Sequence, residues 1–154
     1  IVSPDRTPHP GINEVKKVYQ DINFEMVDDG KVRIINDFNF SDLSEYAFSY
    51  EVLCEGHSVA SNEIKGVSCK AGESVIVGVE LPEKMDGKEY MLNLYAKQRL
   101  SHPLIPMDYV VAMEQIALSD YDFDHTAPTG TLEIERGEGW LVAYAKEVGV
   151  LFNT

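Results

Sequence analysis

Seven short runs of alternating apolar and polar residues, each closed by a turn signal, constrain this chain more than any other feature in it. Period-two alternation puts one set of side chains on each face of a β-strand, so it specifies strands that bury one face. Ile22, Phe24 and Met26 alternate with Asn23, Glu25 and Val27, and Asp28-Asp29-Gly30 punctuates the run. Val32, Ile34, Asn36, Phe38 and Phe40 continue the pattern, which predicts a β-hairpin whose second strand runs to residue 40. Phe48, Tyr50 and Val52 mark a third strand that stops at Glu55-Gly56, and residues 58–64 read as a short edge strand. Residues 74–81 place Val75, Val77 and Val79 on one face; Tyr90, Leu92, Leu94 and Ala96 mark a sixth strand, and residues 109–118 a seventh. With hardly any helical period between them, these runs predict an all-β, immunoglobulin-like antiparallel β-sandwich.

The flanks read differently. IVSPDRTPHP carries three prolines and predicts an extended connector, because proline fixes φ and pushes the residue before it toward extended geometry. Pro10 then opens a short helix to about residue 17, with Ile12 and Val15 three residues apart. The opening Ile1-Val2-Ser3-Pro4 has no initiator Met, basic region or apolar region, so the expectation is a piece of a longer polypeptide. After Ser119 the stretch SDYDFDHTAPTG reads as a linker. Residues 131–136, the turn Gly137-Glu138-Gly139 and residues 140–145 predict a second hairpin, and an apolar run at 148–152 follows. A lone hairpin is marginal in water, so this part is expected to pack on the sandwich, to pair with another chain or to be the truncated beginning of another domain.

Charge narrows the partners. Lys and Arg total 13 against 26 Asp and Glu, a net charge of −13. That balance argues against nucleic acid, whose phosphates need a basic footprint, and against an anionic membrane surface. No apolar run approaches the roughly 18 residues of a membrane-spanning helix.

Sites for chemistry are sparse. No G-x-S-x-G elbow or phosphate-binding glycine loop occurs. Cys54 lies at a strand end and Cys69 in a small polar turn; both read as structural thiols, with a Cys54–Cys69 disulfide left open. His9, His57, His102 and His125 show no metal-ligand spacing. Asp120, Asp122 and Asp124 imitate the start of an EF-hand loop, but His125 and Thr131 stand where Gly and Glu belong. Glu133 and Glu135 share a strand face without the cleft that a glycosidase pair requires. Asn39-Phe40-Ser41 matches a glycosylation sequon, a triplet common by chance. Tyr95, Tyr109, Tyr121, Trp140 and Tyr144 are candidates for a sugar-stacking platform, although strand aromatics mostly serve packing.

One segment is distinctive. Asp5-Arg6-Thr7-Pro8-His9-Pro10-Gly11, with Asn13-Glu14-Val15-Lys16-Lys17 and Val18-Tyr19-Gln20, resembles the junction leaving the catalytic barrel of glycoside hydrolase family 2 β-galactosidases. The resemblance continues through Ile34-Ile35-Asn36, Asp42-Leu43-Ser44-Glu45-Tyr46, Tyr50-Glu51-Val52, Ala71-Gly72-Glu73 and Glu114-Gln115, covering most of residues 3–118. Tyr50 and Met113 depart from it, standing where relatives often have Trp. It implies a connector at 1–17 from an upstream barrel, an immunoglobulin-like domain at 18–119, a linker at 120–127 and the truncated start of a C-terminal β-sandwich at 128–154. It further implies that the catalytic glutamates, with magnesium and sodium, sit in that barrel, so no catalytic, cofactor-binding or metal residue is expected in this chain. The implied role is a spacer between barrel and C-terminal domain, with oligomer contacts left open. The rival expectation is an independent carbohydrate-binding or cell-surface adhesion module.

Overall fold

A computed structural model of the chain describes residues 2–85, 87–119, 131–145 and 148–153. They fall into two compact units divided after residue 121. The first contains α1 (Ile12–Val18), β1 (Ile22–Asp28), β2 (Lys31–Asn36), β3 (Tyr46–Cys54), β4 (His57–Ile64), β5 (Ser74–Gly78), β6 (Tyr90–Gln98) and β7 (Val110–Ala117). Two antiparallel sheets result, β1-β2-β5 and β4-β3-β6-β7. This is the expected seven-stranded sandwich.

The core follows from the alternation. β3 and β6 pair over nine residues, from Tyr46 against Gln98 to Cys54 against Tyr90, and each buries every second residue. Phe48, Tyr50, Val52, Leu92, Leu94 and Ala96 supply one wall, while Ile22, Phe24, Val32 and Ile34 supply the other. Phe24 and Phe48 meet edge to face across the sheets, with ring centroids 6.3 Å apart. Tyrosine hydroxyls close the ends. Tyr50 accepts the Glu80 amide at 3.1 Å, and Tyr90, opening β6, accepts the Met85 amide at 3.3 Å. The second is a tyrosine corner of the kind immunoglobulin-type sandwiches use. Gly30 closes the first hairpin with φ of 69°, where a Cβ would stand 3.0 Å from the Val79 carbonyl oxygen. Glycine therefore suits this position on both counts.

Two expectations need correction. The second strand stops at Asn36 instead of residue 40. Asn36 is wholly buried, and its side chain bonds to the local backbone, turning the chain out of the sheet. Phe38 consequently stacks on Tyr46, with centroids 5.5 Å apart and planes 5° from parallel, while Phe40 faces solvent. Nor is the proline-rich lead-in extended. Val2 bridges Pro8, the Ser3 amide donates to Thr7 O at 2.9 Å, and Arg6 takes a φ of 67°. Asp5 accepts the Thr7 amide at 3.0 Å, and this bond holds the Asp5 carboxyl below its usual range. An Asx turn outweighs the extended bias of the prolines.

The second unit is a three-stranded antiparallel sheet of β8 (Glu133–Gly137), β9 (Trp140–Ala145) and β10 (Val148–Asn153), in the order β10-β9-β8. The run at 148–152 thus adds a third strand to the expected hairpin. Among the described residues no helix is long and apolar enough to cross a membrane.

Candidate functional site

Polar side chains of the sandwich converge at two places. The first lies around Asn36, whose Nδ2 donates to Ser41 O at 2.9 Å and to Cys69 O at 2.8 Å. Its Oδ1 accepts the Phe38 amide at 3.0 Å, while its own amide and carbonyl bond to Glu73 O and the Gly72 amide, both at 2.9 Å. Beside it, Asp42 caps a single 3-10 turn at Leu43–Glu45 by accepting the Ser44 amide at 2.8 Å, and it also accepts the Ser68 hydroxyl at 3.1 Å. The Ser44 bonds are the main cause that lowers the Asp42 carboxyl from its usual 3.8. This arrangement ties the β2–β3 and β4–β5 loops together. Sequence reading took Asn36 as one position of the alternating strand and of a resemblance, not as a site; the available signal was an amide on the inward face of an apolar strand.

The second cluster joins α1 to the edge strand β7. Met113 points both of its main-chain groups away from β6. Gln20 Oε1 accepts its amide at 3.2 Å, and Lys17 Nζ donates to its carbonyl at 2.7 Å. Lys17 also pairs with Glu114 at 2.6 Å, while Lys16 bonds to Val110 O and lies 4.1 Å from the centroid of the Tyr109 ring. The helix thus covers a strand edge that would otherwise template pairing with another chain.

Among the described residues the candidates do not meet at one site. Cys54 and Cys69 are buried free thiols. Cys69 bonds through its carbonyl to Leu43, just before β3, whereas Cys54 ends β3 eight residues beyond Tyr46. That separates them by on the order of 20 Å at the rise of a strand, so the disulfide left open above is ruled out. Burial is the first cause that pushes the Cys69 thiol up, with Glu73 and Asp42 adding to it, which opposes thiolate chemistry. His9 bonds to the Ser3 hydroxyl at 2.9 Å within the lead-in, His57 opens β4, and His102 sits in the β6–β7 loop. No group of three His, Cys, Asp or Glu positioned to hold a metal ion occurs among the described residues. Asp120, Asp122, Asp124, His125 and Tyr121 lie outside the described residues.

The candidate aromatics divide between the units. Tyr95 is half-buried on β6, where burial, followed by Glu51, raises its hydroxyl above the usual range. Tyr109 lies under Lys16. Trp140 and Tyr144 share one face of β9 and are exposed, opposite Gly137 and Glu133 of β8. The Trp140 ring covers Gly137 so closely that a Cβ there would come within 2.2 Å. Glu135 lies opposite Val142 on the same face, so both β8 carboxylates project into solvent on an open sheet.

A family model described as β-galactosidase, domain 4, matches residues 32–119. Among curated proteins, a β-galactosidase of Actinobacillus pleuropneumoniae is 35% identical over 119 residues, covering 77% of this chain and 12% of that protein. β-Galactosidases of Psychromonas ingrahamii and Vibrio cholerae are each 30% identical, again across 77% of this chain. The chain spans 11% to 12% of the length of these relatives.

Proposed function

The chain belongs to the β-galactosidase domain 4 family, and from that membership we propose that it serves as a non-catalytic spacer within a longer β-galactosidase. The whole protein would hydrolyse terminal non-reducing β-D-galactosides with retention of configuration. Its catalytic glutamates, with magnesium and sodium, would belong to an upstream barrel, and this chain would hold that barrel against a C-terminal domain. The observation that carries this reading is the overlap between family and fold. The matched residues 32–119 begin in β2 and run through β7, so the match is to the sandwich itself and not to a loop or motif. The α1–β7 contacts and the cross-bonded lead-in support a mechanical role, since they fix how the preceding chain meets the sandwich.

The test compares the full-length protein with this chain on a chromogenic galactoside. Hydrolysis by the full-length protein and none by the chain is expected. Turnover by the chain alone that Glu133→Gln or Glu135→Gln abolishes would overturn the spacer reading. A second reading, an independent carbohydrate-binding or adhesion module, draws on Trp140 and Tyr144 beside the β8 carboxylates. Titration of the chain with galactosides and cell-wall glycans tests it, and millimolar or tighter binding lost in Trp140→Ala would support it.

A further inference from the structure

The β10-β9-β8 sheet has two unlike faces. Residues opposite one another on neighbouring strands share a face, so Ile134, Ala143 and Val150 lie together on one, with Leu141 and Phe152 beside them. That face is apolar apart from Arg136 and suits a covering layer. The opposite face holds both β8 carboxylates, Glu133 and Glu135, the Asn153 amide and the rings of Trp140 and Tyr144. Burying it under another apolar layer would strand two charges, so this is the face to leave in water. Its two rings are held in a particular way. Trp140 stands opposite Gly137 of β8, and its indole lies so closely over that glycine that a Cβ there would overlap it. Tyr144 stands opposite Gly149 of β10, where a Cβ would come within 3.1 Å of the phenol ring. With no side chain beneath it, each ring lies across the adjoining strand, and 38% of Trp140 and 39% of Tyr144 stay exposed. Because β8 and β10 flank β9 on opposite sides, the two rings lean apart. Their residues stand roughly 13 Å apart along the strand, so the rings mark out a diagonal that crosses Val142.

We propose that this face binds a neutral, β-1,4-linked oligosaccharide long enough to lie on both rings. The proposal rests on the carbohydrate-binding reading above and names its site and its ligand. Each part of the ligand answers to a part of the face. Rings fixed in place before binding accept a flat C–H surface at little further entropic cost, and a pyranose presents such a surface with hydroxyls around its rim. Glu135 beside Val142 and Glu133 beside Tyr144 are acceptors for those hydroxyls, while Asn153 beside Trp140 offers both a donor and an acceptor. The same carboxylates repel a uronic or sulfated chain. Two rings set wider apart than one sugar call for a chain, and equatorial β-1,4 linkage keeps successive sugars in one flat ribbon. An α-1,4 chain coils away from such a plane.

The test titrates the chain with cellotetraose and follows the fluorescence of Trp140, the single tryptophan, with calorimetry alongside. Saturable binding with a millimolar or tighter Kd is expected. Glucose and maltotetraose should bind at least about tenfold more weakly, a loss of about 1.4 kcal/mol. A hyaluronan tetrasaccharide, β-linked but anionic, should not bind. Tyr144→Ala should weaken cellotetraose by about tenfold, and Glu133→Gln/Glu135→Gln should weaken it while admitting the hyaluronan fragment. Gly149→Ala lifts the Tyr144 ring without removing any group that meets the sugar, and it too should weaken cellotetraose. An unchanged Trp140 emission maximum in each variant shows that the sheet is still formed. Maltotetraose or hyaluronan binding as tightly as cellotetraose, or cellotetraose binding that survives both Tyr144→Ala and Gly149→Ala, would overturn this site and leave the carbohydrate reading standing. Binding of none of these saccharides, nor of galactosides or cell-wall glycans, would remove that reading as well.

Discussion

The two units use the same local signals and reach different ends. β3 and β9 are both apolar-rich runs next to a turn, β3 alternating and β9 continuous, yet β3 buries every second residue whereas β8 buries none and β9 is only half-covered. Alternation makes a strand, but a core needs a second apolar layer to receive the buried face. The sandwich supplies both layers from its own residues. The β8–β10 sheet supplies one, leaving Ile134, Val150 and Phe152 exposed.

The strongest way to break this comparison is to unfold the units separately. Trp140 is the only tryptophan in the chain, so its fluorescence reports the β8–β10 sheet alone. Far-ultraviolet circular dichroism is dominated by the sandwich strands. In urea the fluorescence transition should finish before the dichroism transition begins, since a three-stranded sheet without a covered face has little to stabilise it. Coincident transitions would mean that the two units unfold as one.

Matched truncations sharpen the contrast. Leu94 is fully buried on β6, and Leu151 on β10 is 61% exposed. Leu94→Ala should cost about 2–5 kcal/mol by urea denaturation, the range for emptying a packed leucine site. Leu151→Ala should stay within about 0.5 kcal/mol, as exposed substitutions do. Similar costs at both sites would contradict the difference in burial.

Asn36→Ala comes next in size. It removes three side-chain bonds and leaves the Ser41 and Cys69 carbonyls short of a donor, so a loss of about 1–3 kcal/mol is expected. With this loop knot loosened, Cys69 should also react faster with a thiol reagent while Cys54, at the far end of β3, keeps its native rate. Asp42, in the same knot, adds a pH signature. Its folded carboxyl titrates below the usual 3.8, so its contribution is full above that value and is lost as pH falls through the lowered one. The wild-type chain should therefore lose more stability than Asp42→Asn across that acidic window.

These residues also show what was legible in the sequence. All seven sandwich strands could be read, because each depends on spacing within a few residues. Where residues 38 and 40 go could not, because the alternation continues past the point at which Asn36 turns the chain. The compact lead-in was hidden by its prolines, whose local bias the Asp5–Thr7 bond outweighs. The α1–β7 contacts were the least legible, since Lys17 meets the Met113 carbonyl across 96 positions of sequence. No local pattern encodes such a partner. For the candidate site residues, the distance between Cys54 and Cys69 required the fold.

The smallest expected effect lies at that same edge. Lys17 and Glu114 are both partly solvated, so Lys17→Ala should change global stability by less than about 1 kcal/mol. Its consequence is local. In Lys17→Ala/Gln20→Ala the Met113 amide loses its acceptor and its carbonyl loses its donor, and β7 regains an open edge. Hydrogen exchange at Met113 should then speed up, while Leu92 and Leu94, buried on the neighbouring strand, keep their protection. An open edge also invites pairing between chains, so the double variant should self-associate at concentrations where the wild-type sandwich does not. Unchanged exchange at Met113 would mean that α1 merely lies beside β7. Faster exchange without association would mean that β7 is shielded by something other than these two side chains.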